Sequence, residues 1–168
     1  LRLSYRKATF VPPAILLAIA MTFLNIIAYA FLSQEALSVI AWLVITLLLL
    51  FVVGISPFLT EHELTDHELI LRQGLLFKAT IPLRDIRGVK EIERGPAKTG
   101  VFFDYLGTAI HVTTQRNNLI LIELRSTRRF RWALAKKADK IYFDTLEHGR
   151  AVRMLNERII PASPNRSF

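Results

Sequence analysis

The 168-residue sequence contains no cysteine, so disulfides, thiolate nucleophiles and cysteine-ligated metals are excluded together. Glycine is scarce and scattered. Gly88 and Gly95 stand alone as turn residues, and no glycine-rich loop opens a helix to cradle a phosphate. The longest absence is one of charge: between Ala8 and Leu71 there is no lysine or arginine, and Glu35 is the sole acidic residue before Glu61. What is present looks contradictory at first, since 52% of the residues are hydrophobic yet the formal net charge is +8. The two coexist because they are segregated along the chain, with Arg2, Arg6 and Lys7 at one end and every other basic residue from Arg72 onward. Outside the apolar part roughly 100 residues remain, enough for one small core.

Residues 13–32 run without a charge for about 20 residues, long enough as a helix to cross ~30 Å of hydrocarbon. Residues 36–55 form a second such run, richer in leucine and valine and stopped by Pro57. Only Ser33, Gln34 and Glu35 lie between them, so the expected structure is an antiparallel helical hairpin whose ends emerge on one side of a membrane. The short loop carries no positive residue while both flanks do, which orients both termini toward the cytoplasm. A cleaved signal peptide, with Ala28-Tyr29-Ala30 as cleavage site, would need a shorter apolar core than this run. A hairpin buried in a soluble protein would need one polar face, and neither run has one.

Within the first run Ala18, Thr22, Asn25 and Tyr29 recur at helical spacing, and Thr46 lies at comparable depth in the second. Ala18, Thr22, Asn25 and Thr46 are therefore the expected helix-packing residues, with the polar groups bonding between helices or to another copy. Two helices without an intramembrane charge make a poor transporter. Tyr29 and Trp42 are expected near a membrane interface.

From Phe58 the pattern changes to short alternating segments broken by turn residues, the mark of a small antiparallel β domain. Residues 58–64, 68–73 and 75–81 read as a three-stranded meander, and 86–93 as a fourth strand before Gly95-Pro96. Residues 97–106 fit no clear pattern. Residues 108–114 and 119–125 read as a hairpin across Gln115-Arg116-Asn117-Asn118, and 140–144 as a last strand. A helix follows from Thr145, capped by Asp144 or Thr145, with Leu146, Val152, Leu155 and Ile159 on its apolar face. Residues 161–168 read as a disordered tail. The expected division is thus a helical hairpin over 1–57, a β domain over 58–160 and the tail.

The order of about seven strands and a C-terminal helix, with Leu64-Thr65-Asp66 before Glu68-Leu69-Ile70-Leu71-Arg72-Gln73-Gly74 and then Ile81-Pro82-Leu83-Arg84-Asp85-Ile86, resembles the membrane-anchored prokaryotic pleckstrin-homology-like (PH-like) family. The resemblance implies a mainly-β split barrel plugged by the last helix, behind two membrane helices in a prokaryotic plasma membrane. It does not extend to phosphoinositide recognition. The loop where such sites carry basic residues here reads Thr65-Asp66-His67 between Glu63 and Glu68, and acidic groups there repel phosphates.

The densest positive run is Arg125, Arg128, Arg129, Arg131, Lys136, Lys137 and Lys140, with Phe130 and Trp132 interleaved and no acid before Asp139. It reads in three ways: as a solvated face of a membrane-side domain, as a surface for anionic lipid headgroups, or as a site for an acidic protein or, less favoured, a nucleic acid whose bases stack on the interleaved aromatics. Glu61-His62-Glu63 and His67-Glu68 gather five potential metal ligands, but the histidines are five apart rather than four and flank a turn. Asp85 and Asp104 fit turns. No nucleophile stands beside a base, so the expectation is a non-enzymatic interaction module without cofactor or metal, partnered by lipids, a protein or its own copies. The alternative is a structural or accessory subunit of a larger membrane assembly.

Overall fold

The computed structural model describes residues 1–32, 35–96, 98–104, 108–130 and 136–159. They form two compact units: a β-rich one of Leu1–Arg6, Glu61–Arg72 and Lys78 onward, and a helical one of Lys7–Thr60 with Gln73–Phe77.

In the helical unit, α1 (Val11–Leu32) lies against α2 (Ala36–Leu49). The second helix continues through a π-helical segment, Leu50–Ile55, into a last turn, α3 (Ser56–Leu59). Both spans, Lys7–Phe31 and Ala36–Leu59, are long and apolar enough to cross a membrane. Their apolar side chains are not used up by packing on each other. Leu16, Phe23, Ile26, Leu37, Val44 and Leu47 are all exposed, where the core helix of a soluble protein would bury such residues.

The described residues contain nine strands in two sheets. The first sheet, in the order β1-β2-β3-β4, consists of β1 (Arg2–Leu3), β2 (His62–Leu64), β3 (Glu68–Gln73) and β4 (Phe77–Pro82). Alternation in β3 and β4 turns Leu69, Leu71, Ala79 and Ile81 inward. The second sheet contains β5 (Ile86–Arg94), β6 (Gly100–Asp104), β7 (Ala109–Thr113), β8 (Asn117–Phe130) and β9 (Lys136–Phe143), in the order β5-β8-β9-β7-β6. Its inner face supplies Ile110, Val112, Ile120, Ile122, Ile141 and Phe143 to the core. Rings join the two sheets: His62 lies 5.0 Å from Tyr5 and 5.8 Å from Phe143. Helix α4 (His148–Arg158) lies against β5 and β8 and buries Ala151 and Leu155.

Several expectations are corrected. The division at residue 57/58 misses β1, because Arg2 and Leu3 pair with Glu63 and His62 and so join the β-rich unit. Leu3 and Tyr5 are buried in the core of that unit; a two-residue strand is too short to show a period. The first expected strand shrinks to His62–Leu64, since the preceding helix runs to Leu59. The expected hairpin of residues 108–114 with 119–125 does not form. Instead β9 lies between these strands, parallel to β7 and antiparallel to β8. Among the described residues there is no closed barrel; the strands form two sheets of four and five. Asp144 and Thr145 do not cap α4, because its N-cap is Glu147. Thr145 Oγ1 donates to the Ser4 carbonyl, and Asp144 accepts from Thr114. Leu146, expected on the apolar face of the last helix, precedes α4 and is exposed. The expected tail, 161–168, lies outside the described residues.

Candidate functional site

Strand register, rather than any local motif, assembles an open pocket on the outer face of the second sheet. Phe102 pairs with His111 across β6 and β7, and His111 pairs with Tyr142 across β7 and β9, so all three project from the face opposite the core. Their rings stack in a ladder, with centroids 4.4 Å and 4.6 Å apart and planes within 10° of parallel. The next row along the same face is Asp104, Ala109, Lys140 and Glu123. Lys90 reaches Glu123 at 2.7 Å and holds its carboxyl below the usual carboxylate range.

The link from β5 to β6 contributes Gly95, Pro96 and Lys98 to the lining of the same cavity. Gly95 is closely packed: its N–H donates to the Arg116 carbonyl at 2.7 Å, and a Cβ there would displace the Leu119 side chain. The space is an open, shallow pocket of about 590 Å³, within the range of small-molecule sites. Arg94, Lys98 and Lys140 bring positive charge to it, against one lining carboxylate, Asp104, among the described residues. His111 is 4% exposed and its Nδ1 has no hydrogen-bond partner among the described residues. Burial pushes its pKa down, with Asp104 pulling the other way, so the ring is neutral near pH 7.

The described residues of the basic run have different surroundings. Lys140 lines the cavity, Arg128 is paired with Asp85 at 2.9 Å, and Arg129 stands opposite Lys137 on the β8–β9 ribbon. Arg125 is exposed, but Phe130 is buried at 6% exposure and presents no ring to a lipid or partner. Arg131 and Trp132, and the side chain of Lys136, lie outside the described residues. Arg94, Lys98, Phe102, His111 and Tyr142 escape sequence reasoning because they meet only through the order of the second sheet.

In the helical unit Thr46 Oγ1, buried, lies 3.3 Å from Asn25 Oδ1 and 3.0 Å from the Trp42 carbonyl. Asn25 Nδ2 donates to the Met21 carbonyl. The less exposed stripe of α1 is Ala14, Leu17, Ala18, Met21, Asn25 and Ala28. It is centred between Ala18 and Met21, so Thr22 and Tyr29 fall on its outer flank, exposed. Thr22 bonds only back to the Ala18 carbonyl. Trp42 lies on the half-buried side of α2, in step with Thr46.

The histidines of the first sheet part company. His62 is inside, its Nδ1 accepting the Arg72 N–H at 3.2 Å, while His67 is exposed in the turn. Among the described residues no three histidine or carboxylate side chains converge as metal ligands. The acidic turn is tied to α4, since Arg158 pairs with Asp66 at 3.1 Å and donates to the Thr65 carbonyl at 2.8 Å. No family model, curated protein or solved structure matches this chain.

Proposed function

We propose that the chain is a non-enzymatic, membrane-anchored interaction module with a PH-like domain, acting at the cytoplasmic face of a prokaryotic plasma membrane and binding an acidic segment of a partner protein. The observation that carries this reading is the open pocket on the five-stranded sheet, lined by Arg94, Lys98 and Lys140 together with Phe102, His111 and Tyr142. A basic rim over an apolar floor suits carboxylate side chains presented beside apolar ones. The neutral His111 leaves that charge to the three flexible or forked cations.

Anchoring is supported by the exposed apolar surface of both helices, and by β1. Residues before the helix pair hydrogen-bond with residues after it, which supports a chain that enters and leaves the pair on one side. Basic residues occur only in those flanks, which favours the cytoplasm for both. Two further readings have observations behind them. The exposed Arg125, Arg129 and Lys137 favour anionic lipid, and the uncovered outer faces of the helices favour a subunit of a larger membrane assembly.

The test uses the full chain in nanodiscs of neutral lipid, titrated at low salt with a glutamate-rich peptide. Joint reversal by Lys98→Glu and Lys140→Glu is expected to weaken binding by about tenfold or more, the equivalent of ~1.4 kcal/mol. Reversal of Arg129 and Lys137 should leave it nearly unchanged. Equal affinity in the wild type and the cavity variant sinks the acidic-partner reading. Binding of a soluble short-chain phosphatidylglycerol instead, lost on reversal of Arg129 and Lys137, replaces it with the lipid reading.

A further inference from the structure

The turn between β3 and β4 has the wrong composition for water. Tight turns are ordinarily built from glycine, proline, asparagine, aspartate and serine. This one reads Gly74-Leu75-Leu76, and its two leucines are 62% and 64% exposed at the tip. Two adjacent leucines offered to solvent by a hairpin tip need a partner surface.

The position of that tip narrows the choice of partner. The tip, Gln73–Phe77, belongs to the helical unit rather than to the β-rich one. The Leu75 N–H donates to Ser56 Oγ at 2.9 Å, and the Gly74 N–H donates to Thr60 Oγ1 at 2.8 Å. Ser56 itself donates back to the Val52 carbonyl, so the tip is latched to the last turns of the second span, Ala36–Leu59. The fit leaves no slack. Gly74 has φ +68°, and a Cβ on it would sit 2.7 Å from Ser56 Oγ and 3.3 Å from Pro57 Cγ.

Ser56 and Pro57 are buried, while Ile55 and Leu59 on the same helical end remain exposed. Leu75 and Leu76 therefore extend an apolar surface that already belongs to a membrane-length helix. The charges fall where an interface would want them: none occurs from Gln73 to Phe77, and the cations Arg72 and Lys78 flank the tip on its two strands.

We propose that the β3–β4 turn is a third membrane contact, with Leu75 and Leu76 seated at the headgroup–acyl boundary of the same bilayer the helices cross. The inference rests on the proposed membrane anchoring and adds to it a monotopic element built on a turn instead of an amphipathic helix. A protein covering the two leucines is the competing occupant.

The absence of native cysteine makes the experiment clean. Single Leu76→Cys and Ile26→Cys variants of the full chain are labelled with a nitroxide and reconstituted in phosphatidylcholine–phosphatidylglycerol vesicles. Relaxation by oxygen is compared with relaxation by a water-soluble nickel chelate. The label at position 26 is expected to be oxygen-accessible and nickel-protected. The label at position 76 should favour oxygen several-fold over free label in buffer, at a shallower depth than position 26. If position 26 reads as lipid while position 76 matches the free label, the turn contact is overturned and the anchor stands. Shielding of position 76 from both reagents overturns it in favour of a covering protein. A water-like reading at position 26 overturns the anchor and the turn contact together.

Discussion

His62 shows how one buried titratable side chain sets the acid response of the β-rich unit. It is 1% exposed among Tyr5, Phe143 and the Arg72 amide, and burial holds its pKa at about 3 against an ordinary 6.5. A depressed folded pKa means that the unfolded chain takes up the proton first. Its stabilising contribution is therefore complete above pH 6.5 and is lost as pH falls from there toward 3, by at most about 1.4 kcal/mol per pH unit. His111, also lowered by burial, adds a slope of the same sign. Near-UV circular dichroism of denaturant unfolding in detergent should show the wild type weakening between pH 7 and pH 5. His62→Asn keeps an acceptor for the Arg72 N–H but cannot ionise, so its curve should be flatter over that interval; an identical slope would refute the assignment.

At the scale of elements, the second sheet depends on a crossover stitched by one carboxylate. The short link from β7 to β8 passes the end of β9, and there Asp144 accepts the Thr114 N–H at 2.6 Å and the Thr114 hydroxyl. Burial raises the Asp144 pKa while both bonds from Thr114 oppose the rise. A raised folded pKa in an acid favours the protonated form in the fold, so Asp144 loses stabilising effect as pH rises above 3.8, opposite in sign to His62. Asp144→Ala should cost about 1–3 kcal/mol by removing the acceptor of two buried bonds from Thr114, whereas Asp144→Asn retains an acceptor and should cost less. Chemical denaturation of the three proteins measures the order. A fall in Asp144→Asn as large as in Asp144→Ala would show that charge, not the acceptor, matters there. Residues 108–114 and 119–125 look like a hairpin in sequence because both alternate and a polar turn lies between them. Hydrogen bonding to β9 from both sides outweighs that local preference.

For the molecule as a whole, the helical pair is an insertion between β1 and β2 in chain order, and β1 is not dispensable. Leu3 and Tyr5 are buried, and losing both removes roughly 1.5–3 kcal/mol each of apolar burial. A fragment beginning at Phe58 should accordingly be digested faster by protease than the same fragment carrying residues 1–6 on a flexible linker. Equal digestion rates would mean that β1 only decorates the sheet. Hydropathy was enough to read the two long helices, and alternation to read β3, β4 and β5, because each of those signals is carried by neighbours along the chain. Segregation of charge likewise announced the split between an apolar hairpin and a basic domain. The fate of the basic run, the burial of Phe130, the sheet order and the ladder of Phe102, His111 and Tyr142 were invisible there. Each depends on which strands lie side by side and in what register, and those pairings join residues far apart in sequence that no local period connects.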